Sequence, residues 1–392
     1  MTGDSYHIAF LSPNRGQIGE AHVIPRLARA LAERGHRVDL LRAWDEWRDV
    51  DLGDSNLVRV VSLGSRRFLP VMPDISRFSS WASYRMRSAL MAAAMMPGLV
   101  RYLRGERPDF MVARMQTMAS IVGRALSRTE TKLVLSMAGL PRSSGYRNFL
   151  WPRLYPHADA FVAPARSLAL AASERARIDS DRFDVIPNPV IDQQLLRLAE
   201  EPLDDPWFGD PRHPTVLAVG RLTRQKDFAT LVRAMALVRE TSPARLVIIG
   251  QGEDEHRRLL ERLRAELGLE DAVRLHGFDP NPYKYMRAAD LFVMSSEWEG
   301  PGHVLIEAQA IGTPAVSTDC PAGPRDTLLD GEAGLLVPVG DPPAMAEAIL
   351  ESLTDRGRAR RMADIGLHNR ERYYPQNVAG QWESLLERIS GS

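Results

Sequence analysis

Short apolar segments alternate with amphipathic segments along the whole chain, and this alternation restricts the fold more than any other feature of the sequence. Residues 20–34 repeat apolar side chains at a helical period, and residues 37–41 follow as a strand candidate. Strands separated by helices are typical of parallel sheets with helices on both faces. Further strands are predicted at 7–12, 110–113, 133–136, 160–163, 183–186, 215–219, 245–249, 273–275, 291–294, 315–317 and 335–337, and further helices at 228–239, 259–267 and 376–389.

A proline-rich interruption divides the 392 residues, which are enough for two domains. Pro187-Asn188-Pro189 breaks any regular element, and residues 201–214 are rich in proline and aspartate, so we place a linker at 186–214. The predicted fold class is α/β, with two doubly wound Rossmann-like domains facing a cleft. In such open sheets, ligands bind outside the carboxyl ends of the strands.

Three segments follow from this division. Residues 1–190 form the first domain and residues 191–374 the second. Residues 375–392 form an amphipathic C-terminal helix, which packs on its own domain or crosses back to the first.

Composition excludes several classes of protein. The net charge is +0, which does not favour a nucleic-acid partner, and the single cysteine, Cys320, rules out an internal disulfide. The N-terminal residues lack the pattern of a signal peptide. The longest apolar run, near residues 89–100, is interrupted by Pro97 and Gly98 and is too short to span a bilayer. We therefore expect a cytoplasmic protein, with or without attachment to a membrane surface.

Two cations follow the strand at 215–219. Gly220 and Arg221 end this strand, and Lys226 stands just before the next helix, where the positive end of the helix dipole would also attract a phosphate. Only three of the 50 basic residues are lysines, so a lysine at this position is notable. A compact ammonium is a good phosphate ligand. The alternative is that both cations are solvated surface charges.

The stretch from residue 296 to residue 308 joins the strand at 291–294 to a helix. Gly300 and Gly302 allow a ligand to approach the backbone closely. The amides from Gly302 to Leu305 start the helix and are expected to lack intrahelical acceptors, so they can bind an anion or sugar hydroxyls. Glu299 and Glu307 can bind hydroxyl-bearing rings on either side of a phosphate bridge. The alternative is one capping and one solvated glutamate, although Glu307 stands in an apolar run where a carboxylate needs partners.

Two further strands end in glycine turns. Gly250 follows the strand at 245–249, and Gly277 with Phe278 follows the strand at 273–275. Taken singly, each is consistent with ordinary turn chemistry. Together with the two preceding motifs, they describe the rim of one site.

The second half resembles the donor domain of glycosyltransferase family 4, the group 1 glycosyl transferases of GT-B fold. The segments that carry this resemblance are GRLTRQKDFATL, LVIIGQGED, LHGFDPNPYKYMRAADLFVMSSEWEGPGHVLIEAQAIGTPAVSTDC and GLLVPVGD. The resemblance is specific from about residue 215 to residue 348 and looser in the first half. It implies an enzyme that transfers a hexosyl or N-acetylhexosaminyl group from a nucleotide-diphosphate sugar. The segment 320–326 is similar to a branch that often uses UDP-sugars to build lipid-linked or polysaccharide glycans.

The resemblance also implies a role for each site residue. Arg221 and Lys226 hold the donor diphosphate, Glu299 contacts the transferred sugar, and Glu307 binds the ribose hydroxyls. Arg221, Lys226 and Glu299 are the catalytic candidates. The remaining donor-site candidates are Gly220, Gly250, Gly277, Phe278, Gly300, Pro301, Gly302, His303, Val304 and Leu305.

The first half matches the family less closely. Gly16 and Gly19 stand between the first strand and the first helix, where the family has a glycine pair facing the acceptor and the diphosphate. Their spacing is not a dinucleotide fingerprint, and Arg42 follows the second strand where such a fingerprint requires an acid. Many relatives have a histidine after the strand at 133–136, whereas this chain has Met137-Ala138-Gly139.

No cofactor or metal is predicted, because the nucleotide sugar is a co-substrate and fixed cations can neutralise its leaving group. Asp179-Ser180-Asp181 has the spacing of a metal motif, but we interpret it as turn chemistry. The family's reaction proceeds with retention by front-side attack, in which the leaving diphosphate helps to take the acceptor proton.

Residues 60–130 combine eleven arginines and four acids with many aromatic and methionine residues. Such a segment favours a peripheral membrane contact, or it is a helix pair with a buried apolar face and solvated arginines. The sequence therefore predicts a glycosyltransferase with a glycan or lipid-linked acceptor. A non-catalytic nucleotide-sugar-binding protein on the same fold is the alternative that the missing histidine leaves open.

Overall fold

The structure, a computed structural model, describes residues 5–12, 22–43, 57–64, 81–114, 116–140 and 145–391. The strands are β1 (His7–Leu11), β2 (Arg37–Arg42), β3 (Val58–Ser62), β4 (Phe110–Ala113), β5 (Lys132–Ser136), β6 (Ala160–Ala163), β7 (Phe183–Val185), β8 (Thr215–Val219), β9 (Arg245–Ile249), β10 (Val273–Gly277), β11 (Leu291–Met294), β12 (Ala315–Thr318) and β13 (Leu335–Val337). The helices are α1 (Val23–Glu33), α2 (Trp81–Glu106), α3 (Thr117–Ser127), α4 (Gly145–Leu154), α5 (Arg166–Ala176), α6 (Gln193–Ala199), α7 (Phe228–Arg239), α8 (Asp254–Glu266), α9 (Tyr283–Ala288), α10 (His303–Ile311), α11 (Pro324–Thr327), α12 (Pro342–Thr354), α13 (Arg356–His368) and α14 (Pro375–Ser390).

The chain divides into two compact units. Unit 1 comprises Met1–Pro164, Ala172–Pro189 and Pro375–Ser392, and unit 2 comprises Ala165–Ala171 and Val190–Tyr374. Each unit is built on one parallel sheet, with the strand order β3-β2-β1-β4-β5-β6-β7 in unit 1 and β10-β9-β8-β11-β12-β13 in unit 2. Both orders are doubly wound. The predicted fold class of two doubly wound Rossmann-like domains is confirmed.

The sheet of unit 1 is buried along its central strands. Ile8 on β1 pairs with Val38 on β2 and with Phe110 on β4, and all three side chains are inaccessible to solvent or nearly so. These strands are nearly continuous apolar runs because helices cover both faces of a parallel sheet.

The C-terminal helix α14 packs in unit 1 against α1. Trp382 is 3% exposed, and its ring meets the Phe10 ring edge-on at 6.5 Å. Leu385 and Leu386 complete the buried stripe of α14, which lies in one core with Ile24 of α1. The apolar side of residues 376–389 is thus buried in the core of unit 1, which is the second of the two predicted alternatives.

The predicted linker at 186–214 is wrong for most of its length. Residues 193–199 form α6, which Asp192 caps by accepting a hydrogen bond from the Leu195 amide at 2.8 Å. Leu195 is buried in the core of unit 2, and Phe208 packs against the same core. From Val190 onward this segment therefore belongs to unit 2 and contributes to its core.

The edge strand β3 was not predicted, because it has only five residues and only Val58 among them is buried. Asp179 accepts a hydrogen bond from the Asp181 amide at 3.1 Å, so the turn chemistry predicted there is confirmed. Among the described helices, none is both long enough and apolar enough to cross a bilayer.

Candidate functional site

The two cations predicted at the end of β8 lie in one tight loop of unit 2. After Gly220 the chain forms a short 3₁₀ turn, Arg224–Lys226, and Asp227 then caps α7 in a left-handed conformation, with φ 39°. This turn folds the lysine back on the strand end, since a Cβ at Gly220 would lie only 3.0 Å from Cε of Lys226. Arg221 is exposed, and its side chain makes no ion pair with any described residue.

The neighbouring strand ends bring the glycine turns to the same edge of the sheet. The Gly220 amide donates to the carbonyl of Ile249 at 3.0 Å, and the Gly250 amide donates to the carbonyl of Gly277 at 2.7 Å. A Cβ at Gly250 would overlap the carbonyl oxygen of Gly220, so only glycine fits there. Phe278, which follows, is 50% exposed. The structure thus places these three turns side by side, as expected from the order of β8, β9 and β10.

The loop after β11 runs from Ser295 to Gly302 and leads into α10. Gly302 caps the helix in the left-handed region, with φ 73°. The helix start thus presents the amides of Gly302, His303 and Val304 at the sheet edge. The expectation that the Leu305 amide also lacks an intrahelical acceptor is wrong. It donates to the Gly302 carbonyl at 2.9 Å, because the first turn of the helix is tightened.

A second loop supports Gly300 and Pro301 from behind. Gly323, at φ +95°, leaves no space for a Cβ, which would overlap the carbonyl of Gly300. Thr327 donates to the Pro301 carbonyl at 3.4 Å. The position of the Gly300–Gly302 segment is therefore fixed by backbone packing as well as by the helix that follows it.

Lys226 and Glu299 form a buried ion pair. The Lys226 Nζ lies 2.6 Å from Oε1 of Glu299, and the two side chains are 13% and 8% exposed. Ser296, which is fully buried, donates its hydroxyl to the same Oε1 at 2.6 Å. Sequence reasoning assigned the lysine and the glutamate to different parts of a donor. It identified neither their direct contact nor the role of Ser296.

Backbone and side-chain hydrogen bonds connect the two loops around this pair. The Glu297 amide donates to the Gln225 carbonyl at 2.8 Å, and the Gln225 side chain donates to the Trp298 carbonyl at 2.9 Å. Ser295 donates its hydroxyl to the Lys226 carbonyl at 2.8 Å. The cation-bearing loop and the glutamate-bearing loop are consequently one rigid assembly.

Cys320 lies close to this assembly. Burial, assisted by the nearby Glu299 carboxylate, raises the pKa of the Cys320 thiol to about 12. The thiol is therefore neutral at physiological pH and is a weak nucleophile. Glu307 lies one helical turn after His303 on α10, with a partly exposed side chain.

Unit 1 presents a different edge. Met137 is buried directly after β5, and Arg114, only 5% exposed, donates to the Ser136 hydroxyl at 3.2 Å. Sequence reasoning did not single out Arg114, which directly follows the apolar strand β4. Gly16 and Gly19 lie outside the described residues, as does residue 115.

Comparison with known proteins covers both halves of the chain. The family described as "Glycosyl transferases group 1" matches residues 204–368, and the family described as "Glycosyl transferase 4-like domain" matches residues 19–189. The chain belongs to the group 1 glycosyltransferases. The family predicted from the sequence is thereby confirmed, with a match in each half of the chain.

Curated relatives of this glycosyltransferase family match over part of their length. An N-acetylgalactosamine-N,N'-diacetylbacillosaminyl-diphospho-undecaprenol 4-alpha-N-acetylgalactosaminyltransferase of Campylobacter jejuni is 33% identical over 58% of this chain and 61% of its own. A lipopolysaccharide core biosynthesis glycosyltransferase, LpsE of Rhizobium meliloti, is 37% identical over 39% of this chain and 43% of its own. The chain thus spans less than two thirds of the length of these relatives.

Solved structures match over nearly the whole chain. A glycosyltransferase from Rickettsia africae has a TM-score of 0.74 at 16% identity, covering 99% of both chains. Anabaena HepE in complex with UDP also has a TM-score of 0.74, at 17% identity, covering 97% of this chain and 100% of its own. At such identities the likeness shows the fold, which is that of the GT-B glycosyltransferases.

Proposed function

We propose that this chain transfers a hexosyl or N-acetylhexosaminyl group from a UDP-sugar to a hydroxyl of a glycan or lipid-linked acceptor. The observation that carries the proposal is the buried contact of Lys226 and Ser296 with Glu299, at the strand edge where α10 begins. Related proteins support the substrate classes, since the name of one includes diphospho-undecaprenol and one structural neighbour was solved with UDP.

The chemistry follows from the charges at this edge. Breaking the bond between the anomeric carbon and the diphosphate leaves the electron pair, and thus negative charge, on the departing UDP. Lys226 has three N–H donors, of which Glu299 uses one, and Arg221 is exposed nearby in the chain. Together with the amides at the start of α10, these cations stabilise the developing charge without a metal.

In this proposal Glu299 binds a hydroxyl of the transferred sugar. Both of its hydrogen bonds to described residues fall on Oε1, so Oε2 is the oxygen offered to a sugar hydroxyl. The acceptor hydroxyl attacks from the face that the diphosphate leaves, which gives retention, and its proton passes to a diphosphate oxygen. This route does not require a base at Met137, and Glu307 is left to bind the ribose hydroxyls.

The test combines binding with turnover. UDP, UDP-sugars and GDP-sugars are screened by thermal shift, because a ligand that binds the folded state raises the melting temperature by mass action. UDP release from each stabilising donor is then measured with and without EDTA. We expect turnover that EDTA leaves largely intact. Loss of activity with EDTA and recovery with magnesium or manganese would contradict the account of the leaving group.

The alternative function has a clear signature in the same experiment. A nucleotide-sugar-binding protein without activity would show a raised melting temperature with a UDP-sugar and no UDP release with any acceptor. The replacement of the usual histidine by the buried Met137 is the observation that motivates this comparison.

The basic, apolar segment 60–130 supports a peripheral membrane contact. Its described part exposes Leu90 of α2 and Val122 and Leu126 of α3, and Arg101 and Arg128 are also exposed. Exposed apolar side chains beside arginines suit an anionic membrane surface, on which a lipid-linked acceptor would be available.

A further inference from the structure

The hydroxyl of Ser296 contacts Glu299, and no pattern in the sequence predicted this contact. Ser296 follows β11, its side chain is fully buried, and its hydroxyl donates to Oε1 of Glu299 at 2.6 Å. A serine hydroxyl has one proton to donate. In this structure that one hydrogen bond goes to the carboxylate of Glu299.

The backbone of Ser296 is itself anchored. Thr318, at the end of β12, donates its hydroxyl to the Ser296 carbonyl at 2.7 Å. The adjacent Ser295 donates to the carbonyl of Lys226 at 2.8 Å. The hydroxyl that meets Glu299 therefore projects from a segment held by two strands and by the cation-bearing loop.

Two donors on one carboxylate oxygen define the orientation of the carboxyl group. Lys226 alone would leave the carboxylate free to rotate about the contact, since an ammonium is a point charge without a preferred plane. A second donor from a different direction removes that freedom and keeps Oε1 occupied. Oε2 makes no hydrogen bond to any described residue, so it stays available to a ligand.

We infer that Ser296 is a positioning residue, which holds Glu299 so that Oε2 meets a hydroxyl of the transferred sugar. This inference rests on the proposed function. It adds that the contribution of Glu299 to binding the sugar depends on the neutral Ser296 hydroxyl, which donates to the other carboxylate oxygen, Oε1. Ser296 would not touch the donor, so its effect should reach the reaction only through Glu299.

The test is a double-mutant cycle read against UDP binding. Ser296→Ala, Glu299→Gln and the double variant are compared for UDP release from whichever UDP-sugar the wild-type protein uses. The affinity for UDP alone is measured by calorimetry. Ser317→Ala is the matched control, because Ser317 is equally buried on β12 and donates to the Thr318 carbonyl rather than to Glu299.

We expect Ser296→Ala to lower kcat about tenfold, the scale of one lost hydrogen bond to a charged group. UDP affinity should stay within about twofold, since UDP lacks the sugar. In the Glu299→Gln background, Ser296→Ala should add little, because groups that act through one another are not additive. Ser296→Cys, which retains size and a weak donor, should be intermediate and serves if the alanine variant folds poorly.

Two outcomes would overturn the inference. If Ser296→Ala lowers kcat by the same factor in both backgrounds, or weakens UDP binding in parallel, Ser296 only supports the loop. If the wild-type protein binds UDP-sugars but turns none over, the proposed function fails instead, and this is seen before any variant is made.

Discussion

At the scale of single residues, the site is defined by an ion pair that no spacing rule could predict. Lys226 and Glu299 are far apart in sequence and meet only because β8 and β11 are neighbours in the second sheet. The sequence predicted that each residue lies at a strand end, which is correct. It could not predict that the two side chains form an ion pair, because that depends on side-chain reach across two loops.

Lys226→Ala should lower turnover by roughly 10²–10³, because preorganised cations stabilise the charge of the transition state more than that of the bound donor. Binding of UDP-sugar should fall less. Lys226→Arg should restore activity only in part, since a planar fork does not occupy the place of a point charge. Steady-state UDP release and calorimetry provide the two measurements.

Lys132→Ala is the control for this substitution, as Lys132 stands at the beginning of β5 in unit 1. It should retain parental turnover. Full activity of Lys226→Arg would show that the lysine is incidental and would remove the strongest site assignment.

Asp39 provides a test of stability apart from the site. Burial would raise the pKa of Asp39, but hydrogen bonds from Arg59, His7 and Tyr102 outweigh it and hold that pKa well below its usual range. A carboxyl group whose pKa is lowered by folding stabilises the folded state above its unfolded pKa, about 4. It loses that contribution as the pH falls further.

Asp39→Asn should therefore destabilise unit 1 at neutral pH by about 1.5–3 kcal/mol, mainly through the buried bond from Tyr102. Arg59 is 45% exposed, so its ion pair adds little. Hydrogen exchange of the β1 and β2 amides measures the change. Asp184→Asn, which breaks the more exposed pair with Arg388, should cost under about 1 kcal/mol. Equal effects of the two variants would contradict the assignment.

At the scale of elements, the strands were the most predictable part of the fold. β4, β6, β8, β9, β11 and β13 have the predicted bounds, since parallel strands in a covered sheet are continuous apolar runs between turn residues. The errors have physical causes. The edge strand β3 is not buried along its length, so its pattern did not predict a strand. Helix α6 was not predicted, because the prolines on either side of it indicated a linker.

Helix α10 carries the prediction that belongs to this scale. Its N-terminus meets the phosphates in our proposal, and Glu307, one turn further on, binds the ribose hydroxyls. Glu307→Ala should weaken UDP binding by roughly 1.5–3 kcal/mol, because a charge-assisted hydrogen bond is lost. Glu347→Ala, an exposed glutamate on α12, is the control and should bind UDP normally. An unchanged dissociation constant for Glu307→Ala, measured by calorimetry, would move Glu307 out of the site.

At the scale of the whole molecule, charge is balanced overall and uneven locally. The net charge of +0 gives no general attraction to anionic surfaces. An excess of seven positive charges nevertheless falls in residues 60–130, interleaved with apolar side chains. The sequence shows this excess directly, but it does not show which side of α2 and α3 is exposed. For the described residues, the structure supplies that information.

Membrane binding tests whether the local excess matters more than the total. Replacing Arg66, Arg67 and Arg77 together with glutamate should strongly reduce co-sedimentation with vesicles containing phosphatidylserine, since each cation near such a surface contributes about 1 kcal/mol. All three lie outside the described residues, so the prediction rests on their place in the basic segment. The matched control replaces Arg257, Arg258 and Arg262 of α8, which are exposed on unit 2, with glutamate. Both triple variants change the total charge equally. If the two lose binding equally, total charge governs the contact, whereas unchanged binding of the first variant would leave α2 and α3 as an ordinary helix pair.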